Sequence, residues 1–294
     1  MTPKWIHGAP GEPPIQVHWY DERTVILRQA KSLNYEAPFL FLLFGDARAL
    51  LLDTGATEDP ERFPLRRTVD GLVDEWLSRH PTEGYELVVA HSHGHGDHVA
   101  GDGQFADRPS TVVVPREVDA VREFFGFDEW PAQTVTFDLG GRILEIIGSP
   151  GHHQAAITIY DPATGILLTG DTVLPGRLYV FDLPAYLSTM DRLVAFAATR
   201  RITDVLGCHV EMKRRGRKDY PIGATYQPDE RPLELTAAHL TTVRDAAAAM
   251  VGKPGVRRFA DFIIYSQPRR RDVIALLARG RINKLLHRWK HRAR

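Results

Sequence analysis

His93-Gly94-His95-Gly96-Asp97-His98 places three imidazoles and a carboxylate within six residues. Neither a hydrophobic core nor an ordinary solvated loop has a physical reason to assemble that density of ligand atoms. With 13 His in 294 residues, independent placement would produce the pattern in on the order of one chain in a thousand. The run therefore reads as a metal site. The apolar stretch Leu87-Val88-Val89-Ala90 just before it reads as a buried strand, so the run opens the loop at that strand's end. Alternate side chains of an extended backbone share a face, which lets His93 and His95 address one ion. Asp97 and His98 follow the turn at Gly96 and can face a second ion beside the first.

Three later segments repeat the arrangement of an apolar run ending in a ligand. Ser149-Pro150-Gly151-His152 follows Ile143 to Ile147, and Thr169-Gly170-Asp171 follows Ile166-Leu167-Leu168. Leu206-Gly207-Cys208-His209 follows Asp204-Val205. Four strand ends thus bring five histidines and two carboxylates toward one edge of a sheet system, and the carboxylate of Asp171 is suited to bridge two cations.

The order His-x-His-x-Asp-His, Pro-Gly-His, Thr-Gly-Asp, Gly-x-His resembles the metallo-β-lactamase superfamily, from about Leu51 to His209. The resemblance implies an α/β (α+β) fold, an αββα four-layer sandwich of two β-sheets flanked by helices. It implies that His93, His95 and His152 hold a first metal, that Asp97, His98 and His209 hold a second, and that Asp171 bridges them. Leu51-Leu52-Asp53-Thr54-Gly55 is similar to the family's early strand-end segment, where Asp53 would support the ligands from behind. Cys208 departs from the small residue common in relatives. Consecutive side chains on a strand end diverge, so Cys208 is expected to be a buried small apolar residue and not a ligand.

Imidazole with carboxylate and no thiolate suits zinc, and iron or manganese would also fit. Two cations about 3.5–4 Å apart can hold a hydroxide between them, lower its pKa and polarise the group it attacks. The expectation is a hydrolase with two Zn2+ per chain, acting on a small thioester, ester or lactone. Asp171 would serve as the bridge and Asp97 would orient the nucleophile or relay its proton. The family's range keeps phosphodiester and β-lactam hydrolysis open as alternatives. No Ser-His-Asp arrangement, phosphate-cradling Gly loop or dinucleotide fingerprint occurs in its proper context.

Composition agrees with a globular enzyme: 43% hydrophobic residues can build a sizeable core, and 37 basic residues balance 37 acidic ones. A single Cys excludes an internal disulfide and suits a reducing compartment. Met1 to Pro10 shows no apolar leader segment, and no apolar run approaches the ~20 residues of a membrane span. A cytoplasmic enzyme is expected, with a small-molecule substrate and no nucleic-acid partner.

Periodicity predicts strands at Ile15 to Tyr20 and Thr24 to Arg28, then a hairpin from Phe39 to Leu52 turning at Gly45-Asp46. A covering helix is predicted over 65–79, helices over Arg116 to Phe125 and Pro184 to Thr199, and a β-rich second half from Thr134 to Thr169. A catalytic domain of residues 1–225 would be followed by a mostly helical, basic extension, 226–294, packed on the core. In it, Leu233 to Val251 and Arg271 to Trp289 are predicted helical. From Arg257 onward there are 12 Lys+Arg against 2 Asp+Glu, which leaves 25 against 35 in the first 256 residues. Ile274, Leu277, Ile282, Leu285, Leu286 and Trp289 give the last helix an apolar stripe, expected to pack on the domain or on a partner subunit in a homodimer. The alternative is an anion-contacting element.

For substrate contact the candidates are Arg177 and Tyr179, close after Asp171, and Lys213, Arg214 and Arg215, close after His209; the basic run would suit an anionic substrate. His91 and His153 flank ligands and are expected to lie outside the ligand set. Phe124, Phe125, Phe127 and Trp130 are expected to form a core cluster ahead of a pocket wall.

Overall fold

In the computed structural model, which describes residues 3–215 and 217–292, the strands form two six-stranded sheets and one three-stranded sheet. The first sheet runs in chain order: β1 (Ile15–Asp21), β2 (Thr24–Gln29), β3 (Phe39–Phe44), β4 (Arg48–Leu52), β5 (Glu86–Ala90) and β6 (Thr111–Val113). Its first four strands are antiparallel, whereas β4, β5 and β6 are parallel. The parallel crossovers carry α1 (Leu65–Arg79) and the single turn α2 (Gly96–Val99). After α3 (Val118–Phe125) come β7 (Thr134–Asp138), β8 (Ile143–Gly148), β9 (Ile157–Asp161) and β10 (Ile166–Gly170). Next are β11 (Arg177–Val180), α4 (Leu183–Ala198), β12 (Asp204–Gly207), β13 (Glu234–Leu235) and α5 (Ala237–Ala248). The chain closes with β14 (Gly255–Arg258), β15 (Ile263–Ser266) and α6 (Arg270–Arg292). The second sheet has the order β13-β12-β10-β9-β8-β7, with β10 and β12 parallel.

The alternation of β3 decides the layers. Phe39, Phe41 and Leu43 point into a core shared with Leu144, Ile157 and Ile166 of the second sheet. Leu40, Leu42 and Phe44 point the other way, onto Leu65, Val69 and Trp76 of α1. The second sheet does the same: Leu167 and Tyr160 leave the shared core and pack with Tyr186, Met190 and Leu193 of α4 and Leu240 and Val243 of α5. Strands buried on both faces read as continuous apolar runs, which is why β3 is Phe-Leu-Phe-Leu-Leu-Phe. The result is helix, sheet, sheet, helix, as expected.

Several predicted elements change. Leu233 to Val251 is not one helix: Glu234–Leu235 pairs with β12, and Thr236 and His239 then cap the helix reciprocally before Ala237. The segment after residue 225 is also less helical than predicted, because β15 pairs in parallel with β11 and β14 pairs with β15. Strand β11 itself escaped the periodicity reading, being four residues long and irregular in hydropathy. The apolar stripe of α6 does not pack on the domain. Ile274, Leu277, Ile282 and Leu285 are exposed, while Leu276 and Arg279 face the body; the side chains of Leu286 and Trp289 lie outside the described residues. Phe125 and Phe127 lie in the shared core with Phe124 and Trp130 packed against it, as a core cluster should.

Candidate metal centre

Parallel strands end at the same edge, so β4, β5, β10 and β12 each release a site residue at one rim of the sandwich. Asp53 follows β4, His93 and His95 follow β5, Asp97 and His98 lie on α2, Asp171 follows β10 and His209 follows β12. His152 is supplied by the loop from β8 to β9. Backbone constraints shape these ends. At Gly170 φ is +53°, and a Cβ there would come within 2.7 Å of the Cβ of Ser92, so only glycine lets Asp171 approach the rim.

Two groups of ligand atoms converge. His93 Nε2, His95 Nδ1 and His152 Nε2 lie 3.0–3.2 Å from one another. His98 Nε2 and His209 Nε2 are 3.3 Å apart, and Asp97 Oδ2 is 3.6 and 3.4 Å from them. Two imidazole nitrogens gain little from facing each other without a shared partner, and ligands of a tetrahedral ion bound at about 2.0–2.1 Å are themselves about 3.3 Å apart. Asp171 divides its carboxylate between the groups. Its Oδ2 is 3.7 Å from His152 Nε2, and its Oδ1 is 3.7 and 3.5 Å from His98 and His209. That Oδ1 is buried with no hydrogen-bond partner, a costly state that a cation would relieve. The donor set therefore fits metal ions.

The outer nitrogens are tied down. Nδ1 of His152 contacts the Tyr179 carbonyl at 2.8 Å, Nδ1 of His209 contacts the Glu36 carbonyl at 3.1 Å, and Nδ1 of His98 contacts Asp53 Oδ2 at 2.8 Å. Donation from Nδ1–H to each acceptor leaves Nε2 as the lone-pair ligand. Asp53 is wholly buried, adopts φ +69°, and also accepts from the Ser92 amide and hydroxyl at 2.7 and 2.8 Å. Its carboxylate thus joins His98 to Ser92 behind the candidate ligand groups. Cys208 is buried as expected, and its side chain does diverge from His209. Its thiol donates to Asp53 Oδ2 at 3.2 Å, so it backs that carboxylate and is not a purely apolar filler.

Charge is sorted across the site. Burial, followed by repulsion from His98, lowers His93 well below the usual imidazole range; burial and His152 bring His95 to about 4. Both imidazoles are neutral at neutral pH, the form in which they could ligate a metal. Burial opposes ionisation of Asp97, but His209 and His98 hold it at about 2; they likewise hold Asp171 well below the carboxylate range. Burial disfavours a charge on His209, yet Asp171 and Asp97 raise it to about 9. A cation in the second group therefore displaces protons.

A cavity of about 150 Å³ opens beside these ligands, walled by Glu36, Leu174, Arg177, Tyr179, Phe181 and Glu211. Arg177 and Tyr179 are thus brought to the centre. Arg177 is buried, and its guanidinium bonds Glu211, Asp219 Oδ2 at 3.0 Å, the Tyr220 carbonyl at 2.9 Å and the Tyr179 hydroxyl at 3.1 Å. Lys213, Arg214 and Arg215 do not line this cavity. Lys213 Nζ lies 4.6 Å over the Tyr220 ring, and Arg214 Nε donates to the Glu230 carbonyl. Glu36, Phe181 and Glu211 carried no sequence signal. They are distant in sequence and meet through the β11 segment and the loop after β2. His91 is held by Asp102 at 2.9 Å, and the His153 ring meets that of His95 edge to face, outside the candidate ligand groups.

The sequence profile of the metallo-beta-lactamase superfamily matches residues 37–209. A hydroxyacylglutathione hydrolase of Synechococcus sp. (strain JA-3-3Ab) is 28% identical over 223 residues, 71% of this chain and 83% of that one. One from Synechococcus sp. (strain JA-2-3B'a(2-13)) is 31% identical over 130 residues, 40% of this chain and 49% of that one. The hydroxyacylglutathione hydrolase of Rhizobium meliloti (strain 1021) is 26% identical over 163 residues, 53% of this chain and 60% of that one. The chain therefore spans between about half and four fifths of the length of these relatives. Among solved structures, VMB-1 has a TM-score of 0.53 at 15% identity, covering 82% of this chain and all of that one; TMB-1 has 0.50 at 14%, covering 81% and all. These two share the fold. The ligand order, the four-layer architecture and the profile match agree: the chain belongs to the metallo-beta-lactamase superfamily and is a metal-dependent hydrolase.

Proposed function

We propose that this hydrolase is a dinuclear zinc enzyme acting on a small acyl substrate, a thioester first and an ester or lactone by the same chemistry. The observation that carries the reading is the carboxylate of Asp171, split between two ligand groups beside a cavity with room for a short acyl group. The relatives named as hydrolases of acylated glutathione, a thioester, support the preference. Two zinc ions, when bound by His93, His95, His152 and by Asp97, His98, His209 with Asp171 shared, supply Lewis acidity and a water of lowered pKa.

The protein's own groups do the rest. Asp97, ionised at the cavity wall, accepts and orients a proton from the attacking water. Tyr179 stays a phenol because burial raises its pKa, and its oxygen already accepts from Arg177 Nε. Its O–H is therefore free to donate to the carbonyl oxygen or the leaving group. Arg177 is neutralised by two carboxylates, so it positions Tyr179 and does not act as an open anion receptor. Leu174 and Phe181 offer apolar wall to an acyl chain.

The zinc-loaded protein tested on thioester, lactone, β-lactam and phosphodiester panels should give its highest kcat/KM on a thioester. Tyr179→Phe should lower kcat about a hundredfold with little change in KM. Turnover confined to phosphodiesters would overturn the assignment. The hairpin bearing Lys213, Arg214 and Arg215 begins two residues beyond cavity-lining Glu211. Their joint replacement by Ala should raise KM for an anionic substrate alone if the hairpin reaches over the cavity mouth; an unchanged KM removes it from recognition.

A further inference from the structure

Helix α6 is mounted with its apolar side outward. Leu276 is buried against Met212, Ile263 and Tyr265, and Arg279 Nη1 reaches the buried Asp219 Oδ1 at 3.0 Å. Gly280 is pressed on Ile222, where a Cβ would come within 2.6 Å of the Ile222 Cγ2. These contacts fix the helix's rotation, so the opposite face cannot turn inward without breaking the Arg279–Asp219 pair. That face exposes Ile274 at 65%, Leu277 at 47%, Ile282 at 57% and Leu285 at 64% of their surface. At helical spacing these side chains form one patch, with Arg270, Arg271, Arg281 and Lys284 exposed among them. Elsewhere among the described residues, exposed large apolar side chains such as Val17, Val112 and Ile143 stand on separate elements.

We propose that this face of α6 is a docking surface for an anionic lipid membrane. The patch combines what such a surface recognises: aliphatic side chains that enter the acyl boundary and cations that stay at the headgroup level. The chain's charge is divided to match, with 12 basic against 2 acidic residues from Arg257 onward. A second copy docking through the same face would bring together two surfaces that each carry Arg270, Arg271, Arg281 and Lys284, and like charges repel. A second copy docking elsewhere finds no exposed apolar patch of comparable extent among the described residues. Nucleic acid would use the cations but leave four aliphatic side chains in water.

The test is co-sedimentation of the full, metal-loaded chain with vesicles of phosphatidylcholine alone and with about a third phosphatidylglycerol. Binding is expected to the anionic vesicles, to weaken as salt rises, and to be slight on phosphatidylcholine alone. Leu277→Gln with Leu285→Gln, and separately Arg281→Glu with Lys284→Glu, should each lower the bound fraction at least about fivefold. Metal content and hydrolysis should stay unchanged, since these side chains face solvent and none of them lines the cavity. No binding to anionic vesicles, or binding indifferent to both variants, overturns the proposal. A dimer by light scattering that the leucine variant dissociates would instead identify a second copy as the occupant. Salt-sensitive capture of a duplex oligonucleotide that survives the leucine variant, without vesicle binding, would identify nucleic acid.

Discussion

Asp171 lies between the two candidate ligand groups, and its Oδ1 is buried without a hydrogen-bond partner beside His98 and His209. Wild-type protein loaded with zinc should hold about two equivalents by elemental analysis. Asp171→Ala should weaken both sites, whereas His209→Ala should empty mainly the second. A reproducible maximum of one equivalent with full activity would sink the dinuclear reading. Away from the site, Lys31 is buried 3.4 Å from Glu230, whose carboxylate is already taken bidentately by Arg28 at 2.6 and 2.8 Å. Burial, with Glu230 opposing and Arg28 assisting, lowers its ammonium to about 8. Below that pH the folded chain bears the whole cost of a buried charge. Between about 8 and the unfolded value near 10.5 the unfolded chain holds a proton that the folded chain lacks, so stability rises with pH, by about 3 kcal/mol in all. Lys31→Met should remove that rise: the variant's advantage in denaturant unfolding at about pH 7 should shrink by about pH 10. Parallel pH slopes for the two proteins would show that Lys31 does not titrate this way.

At the scale of elements, the β8–β9 loop is where packing and ligation meet. Gly151 has φ +138°, and a Cβ on it would lie 2.5 Å from the Tyr186 Cα of α4, while its carbonyl accepts from the Phe181 and Asp182 amides. Gly151→Ala should therefore push α4 away from the loop, cost about 1–3 kcal/mol in thermal or denaturant unfolding, and loosen metal at neighbouring His152. Gly71 in α1 meets nothing within 4 Å, so Gly71→Ala should stabilise by up to about 1 kcal/mol. If both variants behaved alike in calorimetry, the backbone clash would not be the cause.

Across the whole molecule, the residues beyond 225 share sheets with those before them. Strand β13 edges the second sheet, α5 packs on α4, and β15 supports β11, which carries Arg177 and Tyr179. Arg28, Lys31 and Glu230 add a buried ionic tie to the first sheet. Trypsin should cut first at the exposed Arg214, Arg215, Arg217 and Lys218. The two fragments should co-elute in native gel filtration and separate in denaturant. A C-terminal fragment that elutes alone would mark it as an independent appendage.

By itself the sequence picked out the candidate ligands and, through the family resemblance they carry, the layers. His93 to His98 is local, its spacing imposed by one strand end and one turn, and the doubly buried strands announce themselves as apolar runs. These are short-range consequences of backbone geometry, so they survive in one dimension. Strand Glu234–Leu235, which replaces the start of a predicted helix, depended on pairing with β12 that hydropathy does not encode. Tertiary structure alone brought Glu36, Phe181 and Glu211 to one cavity, engaged Arg177 with two carboxylates, and turned the aliphatic face of α6 outward. Each of those outcomes is a contact between segments far apart in the chain, settled by which partner a charge or a side chain meets when the sheets close, and no spacing along the sequence records it.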